Sequence, residues 1–340
     1  MLRWAESVSA ADKASLRDLV APPSDWLDAE QVTALCREMP LCRVRFSVDC
    51  TAVEALPLLR REPPFALLTI GNLFVGHNPG GEQAVRDLAS ALAGYKGMEK
   101  LSLSAVQLAT RAVVGALVGA AISAGIKDMS FDDCGLSQTA LPAMTRLLQS
   151  PGFERLSVDN YRRTLFEGPA LPAFCEALRN SNKLQELRLQ CVDFWADMAG
   201  ATQLVAALEG LPALHEVSLS YNRADGTLAV QRVVGECLAR LITRSSSLRL
   251  LYVDGNGLGE AGMKPIFEAL RGNAGLVELT LYEEEQFSAE FAGDVLLPAV
   301  RATTALRVLG FDTVRVEPPP SMREVKDILA ARRLADKDAA

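Results

Sequence analysis

Three glycines invite a chemical reading first. Gly257, Gly259 and Gly262 stand in the order GxGxxG, after an apolar stretch with strand spacing and ahead of an amphipathic one, with acidic residues further on. In a dinucleotide-binding fold such glycines let a pyrophosphate approach the positive end of a helix. The competing reading is a turn that needs positive φ and has no room for a Cβ. Isolated matches to this motif are unspecific; what separates the readings is whether the same register recurs without the glycines. Cys36, Cys42 and Cys50 form the tightest cysteine group, but their spacing is unlike the usual zinc patterns and no histidine lies near. The seven cysteines contain no CxxC pair, so they read as buried thiols of a protein kept in a reducing compartment. His77, in the loop Gly76–Gly81, and His215 do not fall beside a cysteine or serine, as nucleophilic catalysis requires. That loop also lacks the Lys-Ser/Thr of a phosphate-binding loop. The expectation is a chain with no enzymatic activity, no cofactor and no metal.

The elements around the glycines explain them better. From Ser247 to Leu270, Leu248, Leu251 and Val253 hold the first, fourth and sixth positions, Asn256 the ninth and Leu258 the eleventh. Met263, Ile266, Phe267 and Leu270 then share one helical face. The apolar triplet recurs as Leu41-Val44-Phe46, Phe65-Leu68-Ile70, Met98-Leu101-Leu103, Ile126-Met129-Phe131 and Phe153-Leu156-Val158. It continues as Leu184-Leu187-Leu189, Leu214-Val217-Leu219, Leu276-Leu279-Leu281 and Leu306-Leu309-Phe311. That makes ten strands at steps of 24 to 34 residues, and most copies lack the glycines. Helical spacing returns between them, as in Val230, Val234, Cys237, Leu238 and Leu241. The glycines therefore make a turn.

The pattern LxxLxLxxNxLGxxG followed by a helix resembles a leucine-rich repeat of the ribonuclease-inhibitor type. The resemblance covers roughly residues 41–316 and implies an α/β solenoid, a curved horseshoe with parallel strands on the concave face and helices on the convex face. The ninth position departs from the family: Asn222, Asn256 and Cys134 fit, whereas Leu73, Val106, Tyr161, Val192, Glu284 and Val314 do not. Irregular turns are expected at those copies.

The ends fall outside the register. Residues 1–40 predict two short helices, near Ala10–Val20 and Asp28–Glu38, with Trp4 and Trp26 covering the open end of a core or serving a separate docking role. Residues 317–340 predict a helix starting at Ser321 with Glu324 reaching back, its apolar face (Met322, Val325, Ile328 and Leu329) either capping the last strand or binding a partner. A net charge of −7 argues against general nucleic-acid binding. The N-terminus lacks the apolar core of a Sec signal, and the uncharged run Ala112–Ile126 is shorter than the about 20 residues a bilayer span takes. A cytoplasmic protein without membrane contact is expected.

Function then falls to the residues between the apolar ones, which point to the concave face because strand side chains alternate. In the C-terminal half these combine Tyr221, Tyr252 and Tyr282 with Glu216, Asp254, Glu278 and Glu283. Tyrosine offers large contact area at small entropic cost. The expected function is a protein-interaction scaffold that binds a basic or mixed-charge protein surface there; an acidic solvated face with incidental tyrosines is the competing account. Two further readings are a bacterial effector that reaches a host cell by a non-Sec route, and a regulator resembling the repeat-containing GTPase activators. The latter would need an exposed arginine, for which Arg43 or Arg45 could be offered.

Overall fold

The computed structural model describes residues 18–20, 24–39, 42–76, 80–108, 110–161, 165–284, 287–311 and 319–338. Trp4, Leu41, His77, Asp312, Val314 and most of the helix expected near Ala10–Val20 lie outside the described residues. Two compact units divide the chain, one up to Asn160 and one from Tyr161.

In the first unit strands and helices alternate as β1 (Asp18–Val20), β2 (Trp26–Asp28), α1 (Ala29–Glu38), β3 (Arg43–Cys50), α2 (Ala52–Leu59), β4 (Leu68–Gly76), α3 (Gly81–Ala93), β5 (Lys100–Ser104), α4 (Arg111–Ala124), β6 (Asp128–Asp132), α5 (Leu141–Leu148) and β7 (Arg155–Asp159). Every pairing is parallel, in the order β3-β4-β5-β6-β7. β1 and β2 lie one after the other along the remaining edge of β3. Val20 is thus a strand residue and not the end of a helix. The second expected helix forms as α1: Asp28 caps it, accepting from the Gln31 amide at 2.8 Å, while the Gln31 side chain accepts from the Asp28 amide at 3.1 Å.

β3 and β4 depart from the predicted register. A bulge between Phe46 and Ser47 shifts the ladder, after which Leu73 pairs with Leu101 and Val75 with Leu103. The spacing that matters is 101 − 73 = 28 residues, although the apolar triplets suggested 33. Leu73, assigned from sequence to a turn, is a fully buried strand residue.

The second unit runs α6 (Leu171–Arg179), β8 (Glu186–Gln190), α7 (Met198–Leu208), β9 (Glu216–Ser218), α8 (Leu228–Arg244), β10 (Leu250–Tyr252), α9 (Gly259–Leu270), β11 (Glu278–Leu281), α10 (Leu297–Ala302), β12 (Val308–Phe311) and α11 (Pro320–Asp338). A π-helical segment, Ala292–Leu296, leads into α10. The strands are again parallel, β8-β9-β10-β11-β12. Leu187, Leu189, Val217, Leu219, Leu251, Val253, Leu279 and Leu281 are all buried, which places the core between sheet and helices. The residues alternating with them form the open face of the sheet. α11 starts one residue before Ser321, and Glu324 pairs with Arg301 of α10 (Nε–Oε1 2.9 Å) where the sequence suggested a reach back to its own helix start. Met322, Val325 and Leu329 are buried, and Ile328 is half-buried.

Candidate functional site

The glycine turn ahead of α9 does cradle an acidic group, and the chain supplies it. The backbone amides of Asn256, Gly257 and Leu258 all donate to the Glu284 carboxylate, at 2.6, 3.1 and 2.6 Å. These are donors a phosphate at this helix start would need. Gly257 and Gly259 have left-handed φ, +70° and +54°. Gly262 is needed for a different reason, the close approach of α8. A Cβ there would stand 2.7 Å from the Gln231 carbonyl oxygen of α8, and one at Gly235 would stand 1.9 Å from the Gly262 oxygen. The glycines of the motif serve a turn and a helix–helix contact.

Glu284 corrects the ninth-position reading. It occupies the place where the family pattern has asparagine and, like that asparagine, takes up the amides of the preceding turn. Asn222 accepts from Val192 and Phe194 amides at 2.8 and 3.3 Å and donates to the Leu189, Leu219 and Ser220 carbonyls. In the first unit Asn160, one position earlier than predicted, exchanges bonds with both the amide and the carbonyl of Leu136. Burial pushes the Glu284 carboxyl up to about 7 against the pull of its three amide donors, with the Asp254 carboxylate adding to the rise.

Asn256 donates to the Val253 carbonyl, and its Oδ1 accepts from the indole of Trp195 at 2.8 Å, a contact spanning 61 residues that no spacing rule would have found. Trp195 is buried, so Trp195→Phe should strand Asn256 Oδ1 and cost about 1–3 kcal/mol in a denaturant melt. An unchanged midpoint would show that the bond contributes nothing.

The predicted acidic and aromatic residues lie on the open face of β9, β10 and β11 or just beyond, but their carboxylates do different things. Glu216 is buried and accepts from Arg188 (Nη2–Oε1 2.6 Å), which also pairs with Glu186 at 2.6 Å. Asp254 Oδ1 accepts from the Tyr282 amide at 2.7 Å, and Oδ2 from Thr280 and Ser220 hydroxyls at 2.9 and 3.3 Å. Both therefore organise the face. Glu278 is half-buried and Glu283 exposed.

The tyrosine rings lie on glycine backbone. A Cβ at Gly255 would stand 2.8 Å from the Tyr221 ring, and one at Gly310 would stand 2.6 Å from the ring of Tyr282. Yet Tyr221 and Tyr282 keep 45% and 44% of their surface exposed, so each is seated without being covered. Tyr252 is half-buried; burial raises its pKa first, then the Glu278 and Glu216 carboxylates, with Arg188 acting the other way. Tyr221 is raised by burial and then by Glu283 and Asp254. Both phenols stay protonated at neutral pH.

The other candidates are placed differently. Cys36, Cys42 and Cys50 are buried, and burial pushes Cys36 up to about 11 and Cys50 up to about 12, far from the thiolate a nucleophile or ligand needs. Among the described residues no three His, Cys, Asp or Glu side chains stand together as metal ligands. His215 Nδ1 lies 3.4 Å from the Ala213 carbonyl oxygen. Arg43 is exposed, whereas Arg45 pairs with Glu99 at 2.8 Å. No described helix is long and apolar enough to cross a membrane.

No protein-family model matches the chain. It is 26% identical over 256 residues to the protein named "NACHT, LRR and PYD domains-containing protein 5" of Bos taurus, a match covering 68% of this chain and 22% of that protein. The chain thus spans about a fifth of that relative's length. Among solved structures it is similar to a chain of the yeast Rad7 and Elc1 complex, with 13% identity, TM-score 0.49, and 94% of this chain and 86% of that one covered. It is also similar to the tropomodulin C-terminal domain of Caenorhabditis elegans, with 18% identity, TM-score 0.42, and coverage of 49% and 95%. A third is the actin-binding site 2 of leiomodin-1, with 19% identity, TM-score 0.41, and coverage of 48% and 90%. Parallel strands alternating with helices in each unit, buried apolar triplets, and turns tied to the next repeat by Asn222 and Glu284 give each unit a leucine-rich type of repeat fold.

Proposed function

We propose that the chain is a non-enzymatic protein-interaction scaffold of the ribonuclease-inhibitor-like type, binding a protein with a basic or mixed-charge surface on the open face of β9–β11. Tyr221, Tyr252 and Tyr282 supply contact area, Glu278 and Glu283 supply charge, and Glu216 and Asp254 hold the face in shape. The observation that carries this reading is that Tyr221 and Tyr282 are nearly half exposed while lying on Gly255 and Gly310. Aromatic residues already fixed in position lose little entropy on binding, which is what interface anchors require. Full helices such as α8 and α9 between successive strands support the repeat type. In the same reading residues 1–40 and 317–340 cap a solenoid of residues 41–316, and the buried face of α11 supports the second cap.

A partner captured by cross-linking in the native cell tests the reading. The double substitution Tyr221→Ala and Tyr282→Ala should weaken its binding by about a hundredfold, the sum of two anchors of more than 1 kcal/mol each. Affinity unchanged within about twofold would contradict the proposal.

A further inference from the structure

We infer that the open face of β9–β11 holds a slot for one cationic side chain, arginine or lysine, of a protein partner, between Glu216 and Glu278, with Leu250 as its floor and Tyr252 as its wall. This rests on the protein-binding reading above and makes it specific.

The face already shows how it grips a guanidinium. Glu186 and Glu216 are directly paired on adjacent strands, and Arg188 sits between them, within 2.6 Å of each carboxylate. Continuing along the same row, Glu216 pairs with Leu250 and Leu250 with Glu278. Glu216 and Glu278 thus flank an apolar residue across two strand spacings, roughly 10 Å of backbone separation. Both Arg188 bonds to Glu216 go to Oε1, which leaves Oε2 as a further acceptor. The charged groups acting on the Tyr252 phenol are Glu278, Glu216, Arg188 and Glu186: three carboxylates to one cation.

That arrangement suits one chemistry. The methylene stem of an arginine or lysine would lie over half-buried Leu250, as such stems lie along apolar surface elsewhere. Its charged head would reach the Glu216 and Glu278 carboxylates and the Tyr252 ring, where a cation is attracted by the aromatic face. An acidic or purely apolar partner segment would meet two excess carboxylates and be disfavoured.

Panning a random dodecapeptide library on the full chain, then measuring the affinities of selected peptides, tests the slot. Each peptide should contain an arginine or lysine whose replacement by alanine weakens binding about tenfold or more. Glu278→Gln should give a similar loss, the two losses should not add, and Glu278→Arg should be rescued by a peptide carrying glutamate at that position. Thermal melts check that each variant is folded. Peptides that lose at least about tenfold on Tyr221→Ala/Tyr282→Ala, yet bind Glu278→Gln within about twofold, would overturn the slot and leave the face standing. Peptides indifferent to both sets of substitutions, or no selected peptide at all, would overturn the slot together with the face.

Discussion

Alanine in place of Gly235 should destabilise the chain by about 3 kcal/mol. A Cβ at that position would stand 1.9, 2.7 and 2.8 Å from the oxygen, carbonyl carbon and Cα of Gly262. All three are backbone atoms of α9, so no side chain can rotate away; α8 and α9 must part. Helix propensity alone favours alanine over glycine by about 1 kcal/mol. Overpacking costs about 1–3 kcal/mol, occasionally more, and a contact this short belongs at the upper end. The sign is therefore decided by packing. Gly119, on α4 with nothing within 4 Å of an added Cβ, is the control, and alanine there should be neutral or stabilising by up to about 1 kcal/mol. Denaturant melts of the two variants measure the contrast; equal midpoints would show that α8 and α9 tolerate separation.

Glu284→Ala should be comparably damaging, because it removes the acceptor of three amides at once. Each unsatisfied buried donor costs about 1–3 kcal/mol, and water can reach part of this half-buried turn, so about 3 kcal/mol in total is expected. The wild-type residue also makes stability depend on pH. Its carboxyl is raised from an ordinary 4.5 to about 7 in the folded chain, so folding takes up a proton between those values. The contribution is fully present below about pH 4.5 and is lost as pH rises through 7, a change of about 3 kcal/mol. Glu284→Gln cannot ionise and should flatten that part of the stability–pH profile. A slope unchanged by this substitution would place the titration elsewhere.

The repeat was legible in the sequence because a buried triplet one face wide leaves a periodic trace: Leu251, Val253, Leu279 and Leu281 are core residues where the register put them. The bulge after Phe46 left no such trace, since Leu68, Ile70, Leu73 and Val75 are all apolar and either pair fits the triplet. Residue type alone places Glu284 outside the ladder, because its function depends on two carboxylate oxygens reaching the preceding turn. Strand alternation assigns Tyr252 and Tyr282 to the open face. That Glu216 and Asp254 are occupied was not visible, because Arg188, Ser220 and Thr280 reach them across strands whose register is fixed only in the fold. Glycine placement carried more information than the motif suggested: Gly255 and Gly310 seat aromatic rings, and Gly262 admits a neighbouring helix.

The most direct measurement is amide hydrogen exchange on the full chain with and without a partner identified by cross-linking. Binding on the open face predicts new protection at Tyr252, Glu278 and the turns carrying Tyr221 and Tyr282, with the outer helices α8 and α9 unchanged. Protection confined to the helices, with the open face of β9–β11 exchanging as in the free chain, would contradict it.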